Sequence, residues 1–425
     1  MTKVRATTLC ATAALLLLLA AGASAAHSQT FQVLHNFNAG TGANPTAGLA
    51  IDRAGNLYGT APRGGGTWYI TQCQLLIPGG CGVVFKLARH GSGWVYSMLY
   101  AFASTDGGYP FSGVTVGPNG SVYGATGLGG NCSYYYGCGV IFNVHPGPSF
   151  PVSVTAPWSE DILYDFYGED DGGPYSRAVI FGSDGALYGT TPGGHNGNGN
   201  IYQLARSGSS WTESVLYTFS SNVRDGKAPT ALTFDSMGNL YGATNQGGNY
   251  DCRPFNGCGT VYQLTQSNGV WTKTILHVFN EAAEGGGPAA VIVDPEGNIY
   301  GGTNGDEANG GIVYELSPAG GAWRATILYQ FPGYNGWGPY GALTLDAAGN
   351  LYGTTYGHGP SNYGTIFKLT HSGGGWTFTD LYDFQGLDDG CYPEGNVVLD
   401  ASGNLYGTTS DCGQAGNGTI WEVTP

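Results

Sequence analysis

Charge is scarce in this chain: charged residues make up 10% of its 425 positions, with 14 Lys and Arg against 29 Asp and Glu, a formal net charge of −15. No basic run occurs. A nucleic-acid surface needs clustered Lys and Arg to neutralise phosphates, so nucleic acid and other anionic polymers are poor partners. GxSxG, P-loop, HExxH and dinucleotide fingerprints are absent, which leaves nucleophile-elbow, nucleotide and zinc-protease chemistry without support. No cofactor is expected. Long helices are disfavoured too, because glycine fills 76 positions, far above the usual share of about 7%. What is plentiful is apolar. With 41% hydrophobic and 13% aromatic residues, the chain can bury a large core and is too apolar for disorder.

Lys3 and Arg5 precede an apolar run from Leu9 to Ala21, and Ala23, Ser24 and Ala25 then give a small-residue cleavage pattern. Residues 1 to 25 therefore read as a secretory signal peptide, and 26 to 425 as the mature domain. The run is shorter than the ~20 residues of a membrane span, so no span is expected once the signal is removed. Cys10 lies at the start of that run, before its apolar core, whereas a lipid-modified cysteine would follow it. An acidic extracellular or periplasmic protein is implied. Without Cys10 eight cysteines remain, an even number in an oxidising compartment, and six form short local pairs: Cys73 with Cys81, Cys132 with Cys138, Cys252 with Cys258. Cys391 and Cys412 make the fourth disulfide. The spacings do not suit zinc, and no metal site is expected.

Read against itself, the segment GNLYGT at Gly55 to Thr60 recurs with its tyrosine at Tyr58, Tyr123, Tyr188, Tyr241, Tyr300, Tyr352 and Tyr406, at spacings of 52 to 65 residues. Such periods with short strands indicate a propeller or β-solenoid. Each unit reads as four strands, A to D. In the sixth copy these are Tyr340 to Leu345, Asn350 to Thr355, Gly364 to Thr370 and Trp376 to Phe384. The A to B link is DxxGN, a turn in which Asp bonds its own backbone and Gly takes positive φ. One Asp per turn is too few for a calcium loop. The D strand places Trp94, Tyr96, Met98, Tyr100 and Phe102 on one face with period two, which predicts an aromatic core there. The small residues of A belong at the central channel, with bulky D at the outer edge.

The last copy ends with its C strand at Ile420 to Val423, and Phe31 to Phe37 ends in LHNF, matching LYAF at Leu99 to Phe102 and LYDF at Leu381 to Phe384. The expected fold is all-β, a seven-bladed β-propeller of four-stranded antiparallel blades, the last closed by the N-terminal strand. Pairing the chain ends also hides two sheet edges. The succession NLYGTT, GTIFKL and LYDF at Asn350 to Thr355, Gly364 to Leu369 and Leu381 to Phe384 resembles GloVer, a family of bacterial secreted tandem repeats, over nearly all of residues 31 to 425. That resemblance implies an extracellular location, usually through a C-terminal sorting anchor, and implies no known activity. Here the sequence stops at Pro425, just after the last strand, so release or loose surface association is expected.

In an antiparallel meander the B to C and D to A loops emerge on one face. The D to A loops carry Asp106, Asp171, Asp225, Glu284 and Asp389, each followed by Gly, with Asn335 in the same place in blade 5. Tyr109, Tyr175, Trp337, Tyr340 and Tyr392 stand beside those turns. One reading is a repeated Asp-Gly turn; the other is a polar, aromatic-edged pocket at the channel mouth, where sugar C–H faces stack on rings and hydroxyls donate to carboxylates. His195 and His358 lie on the same face. The functional expectation is a secreted, non-catalytic, monomeric propeller that binds a glycan or a protein ligand. The alternative is an exported glycoside hydrolase or polysaccharide lyase, although no one pair of carboxylates is marked out for acid and base.

Overall fold

The computed structural model describes residues 29–66, 80–132, 138–147, 157–168, 178–193, 197–249, 257–280, 284–305, 310–333 and 338–424; the expected signal peptide lies outside them. Seven antiparallel sheets of four strands succeed one another around a ring, the fourth carrying one extra short strand, Lys227–Pro229. In blade 6 the strands are Thr344–Leu345, Leu351–Thr355, Thr365–Ser372 and Gly375–Asp383, bonded in that order. The protein is a seven-bladed β-propeller. Its closure is the expected one: Thr30–Asn36 pairs antiparallel with Thr419–Thr424 and supplies the outer strand of blade 7.

The A strands are shorter than the sequence suggests, with two paired residues in every blade. The residues before them face the channel, and their carbonyls bond to the preceding blade instead. Thr60 donates to the Ser112 carbonyl at 2.8 Å, Thr354 to Gly395 at 3.1 Å and Thr408 to Ala47 at 2.9 Å, the last across the ring closure. The threonine of LYGT is therefore a clamp between blades.

The glycine of the same motif answers a different need. Each C strand buries one large ring, Phe85, Phe142, Tyr202, Tyr262, Tyr314, Phe367 or Trp421, at no more than 1% exposure. Each ring lies over the B-strand glycine facing it: a Cβ on Gly353 would stand 2.6 Å from Phe367 Cζ, and one on Gly407 2.3 Å from Trp421. Burying such a ring is worth ~1.5 to 3 kcal/mol, which a methyl at that glycine would forfeit.

The centre of the core is thus in C, and the D-strand expectation needs correction. In all seven D strands the register skips one residue at the leucine of LYxF: Leu34, Leu99, Leu163, Leu216, Leu276, Leu328 and Leu381. That β-bulge reverses the side-chain alternation. Met98 consequently points outward at 45% exposure while Leu99 turns in at 8%. The six strand-opening tryptophans, Trp94, Trp158, Trp211, Trp271, Trp323 and Trp376, pack partly buried against clusters that span neighbouring blades.

The DxxGN turn behaves as read. In blade 6 Asp346 Oδ1 accepts from the amides of Ala348 and Asn350, and Oδ2 from Asn350 Nδ2 and Tyr352 Oη, at 2.7 to 3.0 Å. Gly349 supplies φ of +82°. Burial opposes the ionised form, yet the donors outweigh it and hold the carboxyl below its usual range, as at Asp52 and Asp400. Four donors occupy the carboxylates of Asp52, Asp346 and Asp400 alike.

Candidate functional site: the channel mouth

The D to A and B to C loops share one face, as backbone bridges from Ala43 to Arg63, Gly108 to Leu128, Pro339 to Thr355 and Cys391 to Asp411 show. Beneath them is a central channel of about 610 Å³, walled by the small residues before each A strand, a size within the usual ligand-pocket range of roughly 300 to 1,000 Å³. Four residues separate the loop proline from the A strand in blades 1, 2, 6 and 7, but only three in blades 4 and 5. The longer segments place Thr46, Phe111, Tyr340 and Glu394 in the lining. Among the described residues, the large and polar side chains of the mouth lie on the arc of blades 6, 7, 1 and 2.

Around that arc the tyrosines gather. Tyr392 stacks on Tyr356 at 4.8 Å and 18°, Tyr356 lies 5.8 Å from Tyr340, and Tyr363 meets Tyr392 at 5.8 Å. Tyr109 lines the channel beside Phe111, ring centres 5.8 Å apart. Burial first, then Glu394 and the neighbouring tyrosines, push the Tyr356 hydroxyl upward. Tyr109 and Tyr392 precede the loop prolines with φ of +56° and +58°. This conformation is uncommon for bulky residues, and amide bonds to the Cys81 and Tyr363 carbonyls, both 2.8 Å, hold it. In blade 7 the Cys391–Cys412 disulfide, Cα to Cα 5.3 Å, ties this loop to its neighbour.

The repeated carboxylates sit elsewhere. Asp106 accepts from Tyr100 Oη at 2.6 Å, Asp225 from Tyr217 at 2.7 Å, and Asp389 from Tyr382 at 3.0 Å, while Glu284 meets His277 Nε2 at 3.0 Å. Each also accepts a loop amide, from Ala103, Ser220, Gln385 and Asn280 respectively. The four join the loops to the ends of their own D strands, outside the described channel lining. Asp171, Tyr175, Asn335, Trp337 and His195 lie outside the described residues. His358 is half-buried beside Phe331, 5.4 Å between rings, and burial lowers its pKa while Asp383 raises it.

Cys132 and Cys138 form the second described disulfide, Cα to Cα 5.8 Å. Cys81 and Cys258 are disulfide-bonded, and their expected partners Cys73 and Cys252 lie outside the described residues. Among the described residues no three His, Cys, Asp or Glu side chains gather to hold a metal ion, and no helix is long and apolar enough to cross a membrane. Of the expected residues, Tyr109 and Tyr340 line the channel and Tyr392 stands beside it, while Phe111, Tyr356 and Glu394 stand there without having been singled out in the sequence. The available signal was position: Phe111 and Glu394 follow a loop proline, and Tyr356 directly follows LYGTT.

Among solved structures the chain is similar to a putative 6-phosphogluconolactonase from Bacteroides uniformis, at 14% identity and a TM-score of 0.48, over 79% of this chain and 84% of that one. It is also similar to a putative oxidoreductase (glucose dehydrogenase) from Thermus thermophilus, at 15% identity and 0.44, over 93% and 100%. A gluconolactonase from Xanthomonas campestris matches at 12% identity and 0.40, over 67% and 78%. No curated protein matches the sequence. The model of the Gloeobacter/Verrucomicrobia repeat matches residues 136–325 and 304–425, and the chain belongs to that family.

Proposed function

We propose that this is an exported, non-catalytic propeller that binds a neutral or weakly basic glycan at the channel mouth. The observation that carries the reading is an arc of described rings, Tyr340, Tyr356, Tyr392, Tyr109 and Phe111, around Glu394, the one carboxylate in the described lining. Rings offer faces for sugar C–H groups, and a carboxylate accepts hydroxyls. Loops on a rigid scaffold are the usual seat of such recognition. Export rests on the N-terminal leader pattern, with the disulfides in agreement. The second reading, an exported carbohydrate-active enzyme, calls for two carboxyl groups across the sugar in glycoside hydrolysis. The described lining offers one. The experiment is a panel of insoluble and soluble polysaccharides, read for retention of the purified protein and for released product. Retention lost in Tyr340→Ala and Tyr356→Ala variants with unchanged melting supports binding. Reducing ends or unsaturated sugars appearing with time would turn the assignment to the enzyme.

A further inference from the structure

At five of the seven seams the LYxF tyrosine, or its histidine equivalent, faces the residue two places after the D-strand opener of the next blade. Between blades 3 and 4 that residue is Lys273, paired in register with Leu264 and donating to Asp225 Oδ1 at 2.6 Å. Between blades 1 and 2 it is Glu160, paired in register with Val144. The receiving socket is the same in both seams, since Tyr100 donates to Asp106 at 2.6 Å as Tyr217 does to Asp225 at 2.7 Å. One socket thus receives an ammonium and the other a carboxyl group.

Two carboxylates sharing such a socket repel, and the electrostatic cost is relieved when one holds a proton. Glu160 Oε1 is buried without a hydrogen-bond partner. Burial, then Asp106 and then Asp161, push its pKa up to about 8. The groups that act on it are Tyr100 and Asp106 from blade 1 and Asp161 on its own strand; His145 on the paired strand meets Asp161 at 3.1 Å.

We propose that the seam between blades 1 and 2 is a proton-operated latch, closed while Glu160 is a neutral acid and loosened when it ionises against Asp106. The loop displaced by that repulsion holds Tyr109 and Phe111, so loosening reaches the channel mouth; this second consequence rests on the binding site proposed above, whereas the latch does not. The sign follows from linkage. A carboxyl group whose folded pKa is raised contributes stability that is complete below the unfolded value of about 4.5 and is lost as the pH rises through about 8.

The test needs no ligand. In protein labelled with 13C at the Glu carboxyl carbon, the resonance missing from Glu160→Gln should titrate with a midpoint near pH 8 in wild type. Melting temperature should fall between pH 6.5 and 9 more steeply in wild type than in Glu160→Gln, and Glu160→Lys should melt above wild type at pH 9. A midpoint below pH 6, or an equal fall in Glu160→Gln, overturns the latch. With fluorotyrosine incorporated, the Tyr109 resonance, assigned through Tyr109→Phe, should shift with the same midpoint. A stationary signal overturns the link to the channel and leaves the latch to the other two measurements.

Discussion

Between blades 5 and 6, Tyr329 lies flat on Phe378 at 4.2 Å and 13°, whereas between blades 3 and 4 the equivalent Tyr217 faces Lys273. The next two seams after the first also stack: Phe31 on Tyr382 at 3.8 Å and His35 on Tyr96 at 4.0 Å. Three consecutive seams around the chain closure are thus sealed by rings, while Glu160, Lys273 and the His277–Glu284 pair occupy the seams between blades 1 and 2, 3 and 4, and 4 and 5. The geometry of the socket is common, but its chemistry must be balanced locally. A stack needs no counter-charge. Lys273, whose side chain is 3% exposed, needs Asp225 and the faces of Phe219, Tyr217 and Tyr262 at 4.3, 4.9 and 5.4 Å.

The largest effect should come from removing the stacked arc at its source. Deleting residues 26 to 38 takes away Phe31, His35 and the outer strand of blade 7 together, and the protein should aggregate or fail to express. A soluble monomer that melts with the full mature chain would refute closure by this strand. Next comes Lys273→Met, which strands the Asp225 carboxylate; losing one partner of a buried pair costs ~3 to 5 kcal/mol. Urea unfolding should show that loss, with partial recovery in Lys273→Met/Asp225→Asn, and a loss under about 1 kcal/mol would reduce the pair to the worth of a surface one.

Phe378→Ala, in the stacked arc, should cost about 2 kcal/mol, below the full range for deeply buried phenylalanine. It should also leave the pH dependence unchanged. The charged seam behaves otherwise on the acid side. Burial opposes ionisation of Asp225, yet Lys273 and other donors hold its pKa below the usual value. A depressed carboxyl pKa gives stability that is complete above the unfolded value and is lost as the pH falls through the folded one. Acid unfolding below roughly pH 4 should therefore be flatter in Lys273→Met/Asp225→Asn than in wild type or Phe378→Ala. The smallest effect on stability belongs to the mouth. Trp337→Ala, at a position the sequence alone sets beside the mouth, should leave melting nearly unchanged while weakening glycan retention by ~1 to 3 kcal/mol, and the reverse pattern would make Trp337 a packing residue.

Much of this was legible in the sequence because the repeat is strict where the blade needs it. GNLYGT marks the turn, the clamp and the glycine, and the LHNF ending of Phe31 to Phe37 announces the strand exchange. The bulge was not legible: a leucine after Met98 looks like one more residue of an alternating strand, and only the partner strand's register reveals that it is extra. The seams were hidden for another reason. Tyr96, Glu160, Lys273 and Phe378 look unrelated in sequence and become comparable once the ring presents each to the same neighbour. At the mouth, the repeated carboxylates drew attention through their regularity. That regularity reflects the D-strand tyrosine held by Asp106, Asp225 and Asp389 and the histidine held by Glu284, while Glu394 occurs once and left no pattern to find.

The register of the closing strands bears on how the ring responds to force. Thr30 pairs with Thr424, and Asn36 with Thr419, so the segments flanking the pair leave from the same end of it. Tension applied through those segments peels the strands apart one hydrogen bond at a time instead of loading all the bonds in shear. A propeller of this kind can resist heat through seven well-filled blades and still open at low force in a single-molecule pulling experiment, with blade 7 yielding first and the remaining blades following from the edge it exposes.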